Sequence, residues 1–391
     1  MRRLLRVLVF GFVATAGCRE ATLTATVGGP PAASAAGPAS SRSSRPESRR
    51  SPRLADAPAT GASSGVLSVR PSQPPSAEAW QSPEQCQRAL RFRPARQPGV
   101  ARVGTWNIRW FPDGGPGKTP HATRATDLAW LACAIATLDV DLLAVQEFKT
   151  HARARAATRE LLGLLDRFTG GAWQIELDDC PNVAGQHVGL LYDGRRVQRL
   201  SGRRFDALNP HGEACKNQLR PGQGGYFRFP GGLDLHVVSV HLKSGTQRRS
   251  LDLRRRTLDA FPEVRRSVRS DAPDDDLLIL GDFNTMGCSA CTPSISAAEE
   301  IDSVDRYLES VGFRRVEPDR DCSEYYRGRG GLLDHLVVSE SMAEAPRWKA
   351  RVAGYCRADA CSAVHGAMPP AYERLSDHCP LVAEFVDRDL D

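Results

Sequence analysis

Near one end of the chain the stretch RLSDHCPLVAEFV, residues 374–386, sets an acid and an imidazole side by side, Asp377 and His378. An extended segment turns neighbouring side chains to opposite faces, so Asp377 is poorly placed to orient the ring of His378. A histidine that moves protons needs an orienting partner, and that partner must come from elsewhere. Other reactive groups stand in similar settings. RVGTWNIRW presents Asn107, DVDLLAVQEF presents Glu147, and GLLDHLVVS presents Asp334. LDLHVVSVHLKSG presents His241 and Lys243, and DDLLILGDFN presents Asp282 and Asn284. Within each of these two pairs the residues are i and i+2, on one face of an extended segment. Singly, each is ordinary: Asn107 suits a turn, Glu147 a surface, His241 a hydrogen-bonded core. Six apolar runs that each carry a polar group at the end are not explained by solubility.

The runs themselves read as strands. Leu277 to Leu280 are apolar at consecutive positions, as in strands buried on both faces. Amphipathic stretches at 124–138, 247–269 and 302–311 read as helices between them. This alternation predicts a layered α/β protein, and the ends of such strands are where sites gather.

Charge and cysteines bound the setting. The 391 residues carry a formal net charge of +6, yet residues 1–80 alone hold ten Arg against four acids. The remaining body is therefore electrically balanced, and overall basicity says nothing about nucleic-acid binding. Residues 1–17 have a basic start, a short apolar run and small residues, the pattern of a secretory signal. The sequence TAGC, ending in Cys18, resembles the lipobox of bacterial lipoproteins, which implies acylation of Cys18. Residues 18–80, rich in Ala, Ser, Pro and Arg, read as a flexible tether, and 81–391 as one large domain, which the resemblance below makes the catalytic one. Ten further cysteines in an exported chain predict up to five disulfides. The expected pairings are Cys180–Cys215, Cys356–Cys361, and Cys322 with Cys288 or Cys291. A zinc site on Cys288 and Cys291 lacks a second ligand pair.

Taken in order, TWNIRW, QEF, HLKSG, GDFN, LDH and SDHCPL resemble the endonuclease/exonuclease/phosphatase superfamily, which includes pancreatic deoxyribonuclease. The resemblance runs from about residue 103 to residue 382. It implies a four-layer α/β sandwich of two packed mixed sheets flanked by helices, and phosphate-ester hydrolysis with a divalent metal, Mg²⁺ first, with Mn²⁺ or Ca²⁺ as alternatives. By the same resemblance Asn107, Glu147 and Asp377 hold the metal. Asp282 aligns or deprotonates the attacking water, while Asn284 and His241 contact the phosphate. His378 touches the scissile phosphate, Asp334 is its partner, and Arg220 in QLRPG clamps the phosphate. Hard cations want oxygen ligands, which this set supplies. Whether Asp282 or His378 takes the proton stays open. His187, His236 and His335 match no role, and Trp106 and Trp110 read as packing residues.

The substrate is less defined. GDFNTMG and LLDHLVV differ from the signatures of inositol-polyphosphate phosphatases, whereas sphingomyelinases share the catalytic set. VHLKSG is similar to secreted nucleases, and Arg248, Arg249, Arg254, Arg255 and Arg256 follow it, a pattern that suits a phosphate backbone or a solvated helix face. The expectation is an exported, lipid-anchored, monomeric endonuclease of low specificity for DNA or RNA, held at the bacterial envelope or released. The alternatives are a phospholipid or sugar-phosphate phosphohydrolase, or a non-catalytic envelope binding protein.

Overall fold

A computed structural model describes residues 77–391, apart from 116–123, 182–184, 212–214, 216–218, 273 and 347–348. The expected leader, Cys18 and the tether up to residue 76 lie outside the described residues. Contacts divide the chain into Met1–Leu67 and Ser68–Asp391, and every described residue belongs to the second unit. The last residues assigned to the tether are ordered. Ala77–Trp80 form a 3-10 turn whose Trp80 is buried edge-on against Trp106, with ring centroids 5.8 Å apart.

Among the described residues fourteen strands follow in chain order: β1 Val100–Asn107, β2 Leu142–Phe148, β3 Trp173–Leu177, β4 His187–Asp193, β5 Gln198–Phe205, β6 Gly222–Arg228 and β7 Asp234–His241. The rest are β8 Leu277–Asp282, β9 Phe313–Arg315, β10 Glu324–Tyr326, β11 Arg329–Gly331, β12 Asp334–Ser339, β13 Arg351–Val352 and β14 Leu381–Val386. Two six-stranded mixed sheets form, in the orders β13-β14-β1-β2-β4-β3 and β5-β6-β7-β8-β12-β9, with β10 and β11 as a separate hairpin. Each sheet has one parallel pair near its centre, β1 with β2 and β7 with β8, and antiparallel neighbours outside it. Parallel neighbours need a long crossover, and each crossover here is helical.

The helices are α1 Pro83–Arg91, α2 Leu128–Leu138, α3 Ala152–Thr169, α4 Arg248–Asp259, α5 Phe261–Asp271, α6 Ala297–Ser310, α7 Gly354–Ala358 and α8 Pro370–Arg374. The long helix expected over 247–269 is two helices, with Pro262 in the first turn of the second, where the missing N–H costs nothing. The third expected helix starts earlier, at Ala297, under a capping box of Ser296 and Glu299.

Strand β8 explains its own sequence. Leu278 and Leu280 enter the core between the sheets, while Leu277 and Ile279 pack with Phe261, Val264 and Phe313 on the helical side. Successive side chains alternate faces, and because both faces are covered, all four are apolar. The result is the expected four-layer α/β sandwich, helix, sheet, sheet, helix.

Among the described residues there are five disulfides, as the count predicts, but their partners differ. Cys180–Cys215 is as expected. Cys356 pairs with Cys379 instead of Cys361, Cys322 with Cys361 instead of Cys288 or Cys291, and Cys288 closes on Cys291. Cys86–Cys133 ties α1 to α2. Proximity in sequence misleads here because Cys379, just before β14, is brought beside α7 by the fold.

Candidate active site

Strand polarity gathers the reactive groups at one edge. Asn107 and Asp282 end β1 and β8, His241 ends β7, and Glu147 lies one residue before the end of β2. Antiparallel neighbours begin where these strands finish, so Asp334 opens β12 directly opposite Asp282. Asp334 and His378 therefore stand before or at the start of apolar strands, not at the end of one. His378 itself precedes β14 and makes an isolated bridge with Glu324.

The polar contacts converge on Asp282. Its Oδ2 accepts from Asn107 Nδ2 at 3.0 Å and lies 3.3 Å from His241 Nε2 and 3.8 Å from His378 Nε2. Its Oδ1 accepts the Asn284 N–H at 2.9 Å. Asn107 Nδ2 is also 3.3 Å from Glu147 Oε1, and Glu147 Oε2 accepts the Trp110 N–H at 2.9 Å. On the far side of the His378 ring, Nδ1 is 2.9 Å from Asp334 Oδ2, which also accepts from Ser323 Oγ at 2.7 Å. Asp334, forty-four positions upstream, is thus the carboxylate that meets the His378 ring. The adjacent Asp377 makes no ion pair with the His378 ring; its backbone carbonyl accepts from Tyr355 Oη at 2.6 Å.

Two backbone features aim these groups. Glu147 sits at φ +67° in a bulge of β2 against β4, and Asn284 at φ +52°. Non-glycine residues rarely hold the left-handed region without a local reason. Gly281, at φ +151°, has no room for a side chain: a Cβ would come 2.0 Å from the Val240 carbonyl oxygen of the parallel neighbour. The glycine of GDFN therefore lets β7 and β8 bring His241 and Asp282 together.

Burial sets the electrostatics. It raises the Asp282 carboxyl to about 7, with His378 opposing and Asp334 adding to the rise. Burial would lower His378, but the Asp334 and Asp282 carboxylates overcome it and hold the ring well above its ordinary value. His241 goes the other way, lowered by burial and then by Arg220 and His378. Glu147 is raised, first by burial and then by the Asp377 carboxylate. One imidazole is thereby held cationic and the other neutral, a few ångströms either side of one acid.

Asn107, Glu147, His241, Asp282, Asn284, Asp334 and His378 meet at this edge. Asp377 reaches Glu147 through its field. Arg220, anchored by its Nε to the Gln186 carbonyl at 2.9 Å, faces Glu147 and Asp282 in the same way. The Asn284 amide donates to the Leu242 carbonyl at 3.1 Å. The arginine segment divides. Arg248, Arg249, Arg255 and Arg256 are exposed, but Arg254 is buried and cannot reach a phosphate backbone. Its guanidinium grips Glu300 at 2.6 and 2.8 Å and donates to the carbonyls of Lys243, Gly245 and Gly287.

Among the histidines without a role, His335 is a core residue bound to Thr285 Oγ1 at 2.9 Å, and His236 stacks on Tyr226 at 4.2 Å. His187 pairs with Asp178 at 2.9 Å. Trp106 packs as expected and also donates its indole N–H to the His378 carbonyl at 2.9 Å. Ser323, Ser376 and Glu324 were invisible in the sequence. Ser376 Oγ joins the Asn107 carbonyl to the His378 N–H, at 2.6 and 3.1 Å. Buried Glu324, raised by desolvation, faces His378 and Asp377. Small hydroxyls and lone acids carry no periodic signal that would have singled them out.

No protein-family model matches the chain, and no curated protein matches it. Solved structures with a similar chain course include an endonuclease/exonuclease/phosphatase from Bacteroides vulgatus, at 14% identity and TM-score 0.49, covering 75% of this chain and 99% of that one. A humanised D. rerio TDP2 follows at 15% and 0.47, covering 73% and 99%. A mannosyl-6-phosphatase from Bacteroides thetaiotaomicron stands at 14% and 0.47, covering 73% and 99%. Independently of these, the chain's own strand order and packing make it a four-layer α/β sandwich with its reactive side chains at one edge of both sheets.

Proposed function

We propose that the chain is a divalent-metal-dependent phosphoester hydrolase of the endonuclease/exonuclease/phosphatase type, and within that class an exported nuclease of low sequence specificity. One observation carries the reading: Asp334, His378 and Asp282 form a continuous line of contacts, and Asn107 from the other sheet meets both Asp282 and Glu147.

The residues present suit a hard cation. Asn107 Oδ1 is buried and accepts no hydrogen bond, and the Glu147 and Asp377 carboxylates repel each other across the same space. Amide and carboxylate oxygens are the donors that Mg²⁺, Mn²⁺ or Ca²⁺ prefer. Asn107, Glu147 and Asp377 would hold the ion, which supplies Lewis-acid polarisation of a phosphate oxygen.

Everything else is done by side chains. Asp282 takes the proton of the attacking water, because an acid that titrates near neutrality matches that task. His378, kept protonated by Asp334, is unsuited as the base; it donates to a phosphoryl oxygen and stabilises the charge that develops there. Neutral His241 donates a second hydrogen bond, with Asn284 and Arg220 beside it. Lys243 and exposed Arg249 lie near one another at the rim, which supports a polyanionic substrate. Five disulfides support an oxidising compartment, and Cys18 supplies the lipid anchor of a monomeric enzyme. The described residues hold no helix long and apolar enough to cross a membrane.

The test offers supercoiled plasmid, RNA, sphingomyelin, inositol phosphates and a sugar phosphate to the purified protein, with Mg²⁺, Mn²⁺ or EDTA. Nicking that disappears in EDTA and in His378→Ala is the expected result. Turnover of sphingomyelin or a sugar phosphate alone would refute the nuclease and keep the hydrolase. A folded protein that turns over nothing would leave a binding protein. Palmitate labelling of the wild type but not of Cys18→Ser checks the anchor.

A further inference from the structure

The opposite ends of β8 and β12 carry a second group of acids. Asp274, Asp275 and Asp276 lead into β8, and the middle one points away from its neighbours. Asp275 is engaged by Arg265 and Arg269, with Nε contacts of 2.9 and 2.6 Å. Asp274 and Asp276, on the other face, each bring a carboxylate oxygen within 4.8 Å of Asp391 and of one another. Glu344, from the loop after β12, stands in the same relation to Asp389 and Asp391.

Clusters of exposed acids are common, but this one has a buried floor. Asp276 and Glu344 are only 3% and 1% exposed, and their side chains touch. Asp276 Oδ1 and Glu344 Oε2 are shut off from water and receive no hydrogen bond. An unmatched buried carboxylate is costly, and here two lie together. The nearby cations are committed elsewhere: Arg228 to Asp234 at 2.9 Å, and Arg265 and Arg269 to Asp275. Other polar neighbours are the Asp234 carboxyl beside Asp274, a weak contact from Tyr226 Oη to Asp274 Oδ2 at 3.4 Å, the Asp276 N–H to Asp274 Oδ1 at 2.9 Å, and the Leu390 N–H to Glu344 Oε1. None reaches the two orphaned oxygens.

We propose that Asp274, Asp276, Glu344 and Asp391, with Asp389 at the rim, form a second cation site that binds Ca²⁺ and clamps residues 387–391 onto β8 and β12. Only oxygen donors are present, and they come from three separate segments. Ca²⁺ accepts six to eight oxygens in flexible geometry, whereas Mg²⁺ demands a near-ideal octahedron and keeps several waters. At about 3.3 Å per residue along β8, the site is about 20 Å from Asp282. A bound cation would relieve the mutual repulsion of the buried Asp276 and Glu344 carboxylates.

The experiment is calorimetric titration of EDTA-stripped protein with Ca²⁺, paired with thermal melts, on wild type and three variants. Glu147→Gln disables the catalytic end and should keep a saturable Ca²⁺ site and the rise in melting temperature. Asp391→Asn, an exposed change that the fold tolerates, should weaken that site at least tenfold. Asp276→Asn should abolish it while melting no lower than wild type without metal. Loss of the site in Glu147→Gln with full retention in Asp391→Asn would overturn the proposal by placing the binding at the catalytic end. So would a wild type with neither binding nor a melting response, because the acids would then share protons instead.

Discussion

Strands β8 and β12 hold an anionic cluster at each of their two ends, and the two clusters are neutralised differently. At one end Asp282 and Asp334 face each other in register, with His378, His241 and Asn107 between and beside them. At the other end Asp276 and Glu344 meet, with the Asp274 and Asp391 carboxylates beside them. Burial is the first cause that raises carboxylates at both ends, Asp282 to about 7 with Asp334 adding, and Asp276 to about 9 with Glu344 adding. The difference lies in the neighbours. A protonated imidazole can match charge from inside the protein and still move in a reaction, whereas acids packed only on acids call for protons or a cation from outside.

The most severe way to break the catalytic end is His378→Ala or Asp282→Asn. Each should cost roughly a thousandfold in turnover, in line with loss of a general acid–base group, while Asp276→Asn leaves turnover near wild type. Steady-state kinetics on one substrate checks both. Asp334→Asn comes next, with a loss of about a hundredfold, because it orients and charges His378 without touching substrate. Added to His378→Ala it should change little further, as for residues acting as a unit.

Stability changes are smaller. Arg254→Ala strands buried Glu300 and should cost about 3 kcal/mol in denaturant unfolding, whereas exposed Arg249→Ala should stay within about 0.5 kcal/mol. Nucleic-acid affinity sharpens that contrast, since only Arg249 is free to meet phosphate. The smallest effect is a pH-dependent one. Asp282 has its folded-state affinity for protons raised above the unfolded value, so metal-free stability is lost as pH climbs from about 4 through 7. Metal-free Asp282→Asn should therefore melt a few degrees above wild type at pH 8, with the gap closing by pH 5. An unchanged gap would show that Asp282 does not titrate in that range.

Much of the catalytic end was legible in the sequence because each group ends or opens an apolar run. Asp282 is announced by Leu277 to Leu280, and His378 by the strand after it. The opposite end was not legible, since Asp274–Asp276 and Glu344 resemble solvated loop acids until β8 and β12 pair. Arg254 misled for a related reason. Within an arginine-rich amphipathic helix nothing local marks the one side chain that turns inward, and Glu300, its partner, is 46 residues away.

By itself, the amino-acid order determined the alternation of strand and helix, the polar residues at the strand ends, and the number of half-cystines to be paired. Those properties follow from side-chain type and periodicity, which are local. Only the tertiary structure decided which cysteines meet, that Ser323 and Ser376 brace the Asp334–His378 pair, and that one pair of strands carries acids at both ends. These depend on register and sheet packing, which join residues far apart in sequence and leave no periodic trace in any one segment.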